Sequence, residues 1–289
     1  MNGIVLLNKP AGITSFQALS VLKKKLATKK VGHTGTLDKF AEGLLIACTG
    51  KYTRISQYVT ALPKEYVAWI VLGKTTTTLD PEGEVTDTGP VPSLSEIQRV
   101  IPGFIGSIQQ RPPAYSAIHI NGRRAWQRAR NGEIVDPEPR RIIVENIVIQ
   151  QYTPPRLCIR VNCHQGTYIR SLARDIALAA GTCAYVTRLQ RTRVGSFSVS
   201  DAVSPEMFEP VVHVQKAGDF IAAFPGFIQM CADAALKEHL VYGKTLSPEM
   251  LPSDCGDGVI AFLDTSGELI AFVEKQGQRL QYTMVLAER

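Results

Sequence analysis

The chain has 289 residues, of which 45% are hydrophobic and 20% are charged, the composition of a globular protein with room for one large and one smaller domain. No apolar run approaches the ~20 residues of a membrane-spanning helix. The N-terminus lacks the features of a secretory signal, so we expect a cytoplasmic protein. The cysteines and histidines are scattered without C-x-x-C or H-E-x-x-H spacing, which argues against a metal centre and a disulfide scaffold.

The net charge of +6 is unevenly distributed along the chain. Residues 1–110 hold 12 Lys and Arg against 8 Asp and Glu, residues 111–193 hold 14 against 5, and residues 194–289 hold 6 against 13. All fourteen cations of the middle part are arginine, whose planar guanidinium suits phosphate and can stack on bases. The pattern indicates either a solvated Arg-rich face or a polyanion partner, and nucleic acid is the polyanion that fits best.

The N-terminal part predicts a strand, a helix, a loop and further strands. GIVLLNKP (residues 3–10) is typical of a buried strand that ends in a turn. Thr14 or Ser15 can cap the following helix, whose apolar positions are expected to be Phe16, Leu19, Leu22 and Leu26. In VGHTGTLDKFAEGLL (residues 31–45), Gly32 and Gly35 indicate a shaped loop that carries Asp38. GLLIACTG and EYVAWIVLG then predict strands that are buried on both faces.

The remaining chain predicts mixed elements and a β-rich end. A short helix is expected over residues 93–101, and strands over residues 113–120, 141–149 and 157–163. A helix opens near Thr167 and stops at Gly181. After a linker near residues 200–215, short β-like runs with a turn signal at residues 265–267 indicate a small β-rich domain.

Four residues stand out as candidates for chemistry, and each also has a structural explanation. Arg170 lies in the first turn of a helix, where the dipole disfavours a cation unless a fixed anion offsets it; an exposed Arg folded back on its helix is the alternative. Asp38 is the natural carboxylate to pair with Arg170. The neighbouring cation would lower the pKa of Asp38 and keep its carboxylate ionised, so that it can act as a nucleophile. The alternative is that the Asp38 carboxylate accepts a hydrogen bond from the backbone of its own turn, and the sequence alone slightly favours this over a catalytic role.

The other two candidates suit recognition of a base. Tyr66 opens a strand and can be core filler or an aromatic face for a base taken out of a stack. His33 can be a capping side chain or an RNA contact. No phosphate-binding G-x-x-x-x-G-K-[ST], no G-x-G-x-x-G after a strand and no G-x-S-x-G occurs, so the chain predicts carboxylate chemistry on a polyanion without a cofactor site.

Six segments in sequence order, over about 195 residues, resemble the TruB-type bacterial tRNA pseudouridine synthases. These segments are LLNKPAGITSFQAL, GHTGTLD, KEYVAWIVLG, QRPPAYSAIHINGRRAWQRARNGE, GTYIRSLARDI and LQRTRVGSF. Two positions depart from the family pattern: Lys39 stands where Pro is usual, and Thr77 where Asp is common. Lys39 bears on the rigidity of the loop that carries Asp38, and Thr77 bears on a local polar network.

The resemblance implies an isomerase that converts uridine 55 of the tRNA T-loop to pseudouridine without a cofactor or metal. It implies catalytic roles for Asp38, for its ion-pair partner Arg170, and for Tyr66, which stacks on the flipped uracil and helps remove the C5 proton. Three further residues match substrate-binding positions, namely His33, Tyr168 and Leu189. Lys9 and Pro10 match a motif that supports the site.

The implied fold is mixed α+β: a pseudouridine synthase domain with a central, largely antiparallel sheet flanked by helices, followed by a small β-rich domain similar to a PUA domain. We expect these units over residues 1–210 and 225–289. The partner would be the T-stem-loop of tRNA, with no membrane, and the protein would be a monomer. An RNA-binding protein or tRNA-folding chaperone without catalysis is the alternative function, and a two-carboxylate glycoside hydrolase ranks last because only one site carboxylate stands out.

Overall fold

The computed structural model describes residues 1–116, 118–120, 122–133 and 135–287. Its largest feature is a nine-stranded sheet in the order β1-β3-β12-β4-β11-β10-β7, with β2 paired to β3 and β13 paired to β12. These strands are β1 Gly3–Lys9, β2 Val31–His33, β3 Glu42–Thr49, β4 Lys64–Leu72, β7 Gly106–Gln110, β10 Arg140–Thr153, β11 Arg156–Cys163, β12 Ala184–Val194 and β13 Phe197–Ser198. All of its pairs are antiparallel except β3 with β12, in agreement with the predicted largely antiparallel sheet.

A second sheet has four strands near the C-terminus and the order β14-β15-β16-β17. Its strands are β14 Phe227–Cys231, β15 Gly258–Leu263, β16 Leu269–Gln276 and β17 Arg279–Val285. Two small hairpins are formed by β5 Lys74–Thr76 with β6 Val85–Thr88, and by β8 His119–Ile120 with β9 Arg123–Arg124. The turn expected at residues 265–267 does connect two strands, because β15 ends just before it and β16 begins just after it.

The helices are short, and no helix in the described part of the chain is long and apolar enough to cross a membrane. They are α1 Ser15–Lys25, α2 Ser56–Ala61, α3 Leu94–Val100, α4 Ala125–Arg130, α5 Ile169–Ala179, α6 Pro210–His213, α7 Ala217–Phe220 and α8 Ala234–Tyr242. The α5 helix packs its apolar stripe against the main sheet. The site described below lies at the N-terminal ends of α1 and α5.

Strands β1 and β3 are buried on both faces, as their continuous apolar runs predict. Val5 and Leu7 of β1 belong to the main hydrophobic core under α1 and α5. Ile4 and Leu6 face the other way, into a second cluster that also contains Phe272 of the second sheet. Side chains alternate between the faces of a strand, so one apolar run serves both cores.

Four sequence expectations about local structure are wrong. Strand β4 is not buried on both faces, because Trp69 and Val71 on one face are only half-buried. Phe16 is 67% exposed, because the buried stripe of α1 runs through Ser15, Ala18, Leu19 and Leu22 instead. Of the strand expected over residues 113–120, only His119 and Ile120 pair as a strand, and residue 117 lies outside the described residues. Gly32 is part of β2, paired with β3, so the loop that carries Asp38 begins later than predicted.

Gly43 explains how β12 reaches the loop that carries Asp38. Its φ of +103° is in the left-handed region, and a Cβ there would lie 2.3 Å from the main-chain oxygen of Arg191 on β12. Only glycine permits both this backbone and this approach. The parallel pairing of β3 with β12 at Gly43 brings Leu189 and Arg191 next to the loop.

Candidate active site

A cleft of about 670 Å³ lies between the loop that carries Asp38 on one side and β4, β12 and the start of α5 on the other. Six of the eight residues singled out from the sequence line it, namely His33, Asp38, Tyr66, Tyr168, Arg170 and Leu189. Lys9 and Pro10 lie outside its wall. The tertiary structure therefore gathers residues that are up to 156 positions apart in the chain.

Asp38 and Arg170 form an ion pair in this cleft. Nε of Arg170 lies 2.9 Å from Oδ2 of Asp38, and Nη1 lies 3.1 Å from Oδ2 of Asp80. Nη1 also donates to the carbonyl of Thr78 at 2.7 Å, and Nη2 donates to the carbonyl of Tyr115 at 3.0 Å. The Arg170 side chain is only 4% exposed, whereas that of Asp38 is 37% exposed. Both terminal nitrogens of the guanidinium thus donate hydrogen bonds, Nε is paired with Asp38 by charge without a hydrogen bond of good geometry, and the Asp38 carboxylate is open to a ligand.

The start of α5 is fixed by a buried glutamine. Gln110 of β7 is 1% exposed, accepts from the backbone N–H of Tyr168 at 2.8 Å and donates to its carbonyl at 3.1 Å. Arg170 follows in the first turn, where the positive end of the helix dipole disfavours a cation. The carboxylates of Asp38 and Asp80 supply the offsetting negative charge.

The loop that carries Asp38 is tied to α1 and to β12. The hydroxyl of Ser15 accepts from the N–H of Leu37 at 2.9 Å and donates to the Leu37 carbonyl at 3.0 Å. Nη2 of Arg191 donates to the carbonyl of Gly35 at 3.0 Å. These contacts on both sides of the loop hold Asp38 in one position without using its carboxylate.

The pKa of Asp38 moves in the opposite direction to the sequence expectation. Although 37% of the Asp38 side chain is exposed to the cleft, protein surrounds the carboxyl on its other sides, and this partial loss of solvent raises its pKa above the ordinary value; the nearby negative charge of Asp80 raises it further. The ion pair with Arg170 lowers it, but this effect is smaller than that of burial. The sequence argument considered the partner cation and omitted the loss of solvent around the carboxyl.

Tyr66 and Leu189 lie on neighbouring strands at the cleft. Tyr66 is half-buried on β4, and burial raises the pKa of its phenol, so the ring is neutral at pH 7. Leu189 of β12 is 5% exposed and is paired in the sheet with Ala68, which lies two residues after Tyr66 on β4. Tyr168 is half-buried at the other side of the cleft, and burial raises its pKa as well. Together they form a largely apolar pocket beside the Asp38 carboxylate.

His33 is at the end of β2 and lines the same cleft. Burial lowers its pKa, and the positive charges of Arg191 and Lys23 lower it further, so the imidazole is neutral at pH 7. Its Nδ1 is buried and has no hydrogen-bond partner among the described residues.

Lys9 is fully buried behind the cleft. Its ammonium donates to the carbonyl of Pro10 at 2.9 Å and to that of Ile13 at 2.7 Å, and so fixes the turn that leads into α1. Burial lowers the pKa of Lys9 to about 8, although Asp38 partly opposes this shift. Pro10 itself is exposed.

Sequence reasoning missed Arg191 and Asp80. Arg191 is 2% exposed, donates through Nε to the carbonyl of Leu44 at 2.7 Å, and lies directly opposite Tyr66 in the sheet. A signal for it existed: it stands two residues after Leu189, and such residues share a face of a strand. Asp80 gave no comparable signal, because its segment is typical of a turn.

The two departures from the family pattern have visible consequences. Lys39 forms an ion pair with Glu82 at 3.7 Å, with both side chains about half exposed, which contributes little to stability. Thr77 takes part in the hairpin through its backbone N–H, which donates to the carbonyl of Glu84 at 2.9 Å. Asp80 supplies the carboxylate of the polar network next to Arg170.

Comparison with known proteins identifies the family. Residues 23–169 match the profile of the TruB family pseudouridylate synthase N-terminal domain, and residues 170–229 match that of the tRNA pseudouridylate synthase B C-terminal domain. The tRNA pseudouridine synthase B of Borreliella burgdorferi strain ZS7 is 45% identical over 204 residues, which cover 70% of this chain and 72% of that protein. Its counterpart in Xanthomonas campestris pv. campestris strain B100 is 38% identical over 274 residues, 92% of this chain and 88% of that protein.

A solved structure confirms the predicted fold. A chain in the crystal structure of a Cbf5-Nop10-Gar1 complex superposes with a TM-score of 0.72 at 24% sequence identity, covering 99% of this chain and 85% of that one. At this identity the likeness concerns the fold alone. With the sequence relatives, it establishes that the chain belongs to the TruB family of tRNA pseudouridine synthases, a family of RNA-modifying isomerases.

Proposed function

We propose that this protein converts uridine 55 in the T-loop of tRNA to pseudouridine, with Asp38 as the nucleophile. The observation that carries the proposal is the solvent-accessible Asp38 carboxylate, 2.9 Å from a buried guanidinium whose two terminal nitrogens are hydrogen-bonded, inside a cleft with an apolar pocket. The reaction breaks the N1–C1′ bond and joins C5 to C1′. No atom is gained and no redox change occurs. The reaction therefore needs a nucleophile, a pocket for the base and a group for proton transfer, and the cleft contains side chains of each type.

The chemical roles follow from what each side chain offers. Asp38 attacks either C1′ of the ribose or C6 of the uracil, and Arg170 orients the carboxylate and stabilises its charge. Tyr66, Tyr168 and Leu189 hold the detached base while it rotates. In the C1′ route, C5 of the rotated base attacks C1′, and the bond between Asp38 and C1′ breaks as the C5–C1′ bond forms; in the C6 route, the bond between Asp38 and C6 breaks as C5 loses its proton. In both routes loss of the C5 proton restores the C5–C6 double bond, the neutral phenol of Tyr66 relays that proton to water, and N1 takes up a proton from water.

Binding requires the target base to leave the stack of the T-loop. Extrusion costs a few kcal/mol, and less in a loop than in a duplex. His33, at the end of β2, faces the cleft as a neutral ring and would hold the base out. The exposed Arg123 and Arg124 beside the cleft would contact T-arm phosphates, which makes affinity sensitive to salt. Lys9 and Pro10 support the turn behind Asp38.

We further propose that catalysis belongs to residues 1–210 and that residues 225–289 form an accessory β-rich unit of a monomer. The C-terminal part of the chain carries more acidic than basic residues, so it would add little to the affinity for RNA.

The test is turnover on unmodified tRNA transcripts that carry uridine tritiated at C5. Wild-type protein should release tritium, and chemical mapping should find pseudouridine at position 55. A transcript with cytidine at position 55 is the control and should release none. Pseudouridine at another position would overturn the assignment of the nucleotide, and binding without any turnover would support an RNA chaperone instead.

The pH dependence of this reaction is expected to follow Asp38. Activity requires the ionised carboxylate, so kcat/KM should fall as the pH drops through the pKa of Asp38, and this fall should begin above the ~3.9 of an ordinary Asp. Asp80→Asn removes a negative charge that raises this pKa, so it should shift the acid limb to lower pH. Profiles of kcat/KM for wild type and Asp80→Asn test this, and identical acid limbs would show that Asp38 is not the titrating group.

A further inference from the structure

An aromatic ring is exposed at the mouth of the cleft, where hydrophobic packing cannot explain it. Phe16, in the first turn of α1, is 67% exposed and still lines the cleft that contains Asp38. The buried stripe of α1 is satisfied by other residues, so the fold does not need a large apolar side chain at position 16. At the edge of the cleft that contains Asp38, such a ring can stack on a ligand with a flat face.

Phe16 is held in a fixed position relative to Asp38. Its neighbour Ser15 makes two hydrogen bonds to Leu37, the residue before Asp38. The first turn of α1 is further closed by Thr14 and Gln17, which cap it reciprocally. The backbone segments that carry the ring and the carboxylate are therefore joined in one hydrogen-bonded unit.

The charge around Phe16 is positive. The ammonium of Lys23 lies over one face of the Phe16 ring, 5.0 Å from its centre, and its field also reaches His33 at the cleft. Helix α1 contains no Asp or Glu, and its last turn is Lys23, Lys24 and Lys25. The face of the ring opposite Lys23 can stack on the base of a nucleotide, and the ammonium can meet its phosphate.

We propose that Phe16 stacks on an unpaired nucleobase that flanks the everted uridine, and that Lys23 contacts the phosphate of the same nucleotide. This inference rests on the proposed function, since it names a second subsite for the same RNA. The everted uracil occupies the pocket of Tyr66, Tyr168 and Leu189, so the base on Phe16 is a neighbour that remains at the mouth. Phe16 is then a residue that binds and positions the RNA and takes no part in the bond-breaking steps.

The test compares Phe16→Ala, Phe16→Leu and Phe16→Tyr. In an Asp38→Asn background, which removes turnover, the dissociation constant for a T-arm RNA should rise about tenfold or more with Ala. Phe16→Leu should give nearly the same loss of RNA affinity as Phe16→Ala, because leucine keeps apolar area but has no ring to stack on a base. Tyr should retain affinity. With active enzyme, Phe16→Ala should raise KM by a similar factor and leave kcat within about twofold, since stacking acts before the chemistry.

Two controls separate stacking from general effects. Leu178→Ala removes a side chain of α5 that is 60% exposed and does not line the cleft, so it should not change the affinity for RNA. Lys23→Gln should weaken binding and reduce the salt slope by about one. Thermal unfolding should be unchanged in Phe16→Ala, because the ring is mostly in solvent.

Three results would overturn the proposal: wild-type affinity in Phe16→Ala, full affinity in Phe16→Leu, or a loss confined to kcat. The first would remove the subsite, the second would replace stacking with a non-specific apolar contact, and the third would place the effect on the Asp38 loop. None of these coincides with failure of the proposed function, which is seen as a wild-type enzyme that forms no pseudouridine at position 55.

Discussion

Asp38→Asn is expected to lower kcat by on the order of 10⁴-fold or more while leaving the fold and the affinity for tRNA close to wild type. The amide is not a nucleophile, so neither C1′ nor C6 can be attacked. The fold should survive because Arg170 keeps its ion pair with Asp80 and its two bonds to backbone carbonyls. Single-turnover tritium release and an RNA-binding titration measure the two effects separately.

Asp80→Asn is the matched control for this prediction. It makes the same carboxylate-to-amide change in the other carboxylate that contacts Arg170. The side chain of Asp80 is, however, only 7% exposed and does not line the cleft. Its kcat at neutral pH should stay far above that of Asp38→Asn. Full turnover in Asp38→Asn would show that the role proposed for Asp38 is wrong, even in a protein of this family.

Arg170→Leu is expected to damage both catalysis and stability. It removes the only cation that contacts both Asp38 and Asp80 among the described residues, and leaves the buried carboxylate of Asp80 without a counter-charge near the partly exposed carboxylate of Asp38. Breaking such a pair typically lowers the free energy of unfolding by about 3–5 kcal/mol. Turnover should fall far more than RNA affinity, because the guanidinium faces the carboxylates and carbonyls. Urea unfolding and single-turnover kinetics test the two parts.

The double variant Arg170→Leu with Asp80→Asn separates stability from chemistry. Removing the second carboxylate should restore part of the lost free energy of unfolding, since only one charge is then stranded. Turnover should not recover, because Asp38 still lacks the group that orients it. Normal turnover with poor RNA binding in Arg170→Leu would instead indicate that Arg170 contacts a phosphate.

Local patterns predicted the long periodic elements, because these depend on periods of two and 3.6 residues, but they did not predict β12, the strand that carries Leu189 and Arg191. The alternation in residues 157–163 and the apolar stripe that begins at Ile169 both have the burial that their spacing indicates. The same rule failed at Phe16, where the stripe is displaced by the buried hydrogen bonds of Ser15 to a loop 22 positions away. Periodicity describes the face of a helix, but it contains no information about a polar partner from elsewhere.

For the candidate site as well, some features could be predicted from the sequence and others could not. The need for an anion beside Arg170 followed from the unfavourable place of a cation in the first turn of a helix, and the sequence offered Asp38 as the natural partner while slightly favouring a hydrogen bond of Asp38 to its own turn. The ion pair itself is seen only in the structure. The direction of the Asp38 pKa could not follow from the sequence, because burial of the carboxyl depends on how tightly α5 and the loop pack. The catalytic roles of these residues stay a prediction until the variants are measured.

The sequence by itself determined the types of elements, the Arg-rich middle and acidic end of the chain, and the family. Only the tertiary structure decided that Asp80 shares Arg170, that Arg191 lies opposite Tyr66 and ties down the loop, and that Phe16 stands in solvent at the cleft. The physical reason is that these contacts join residues between 22 and 156 positions apart. Their energy depends on sheet order, on the close approach at Gly43 and on exclusion of water, and none of these is encoded in a local repeat.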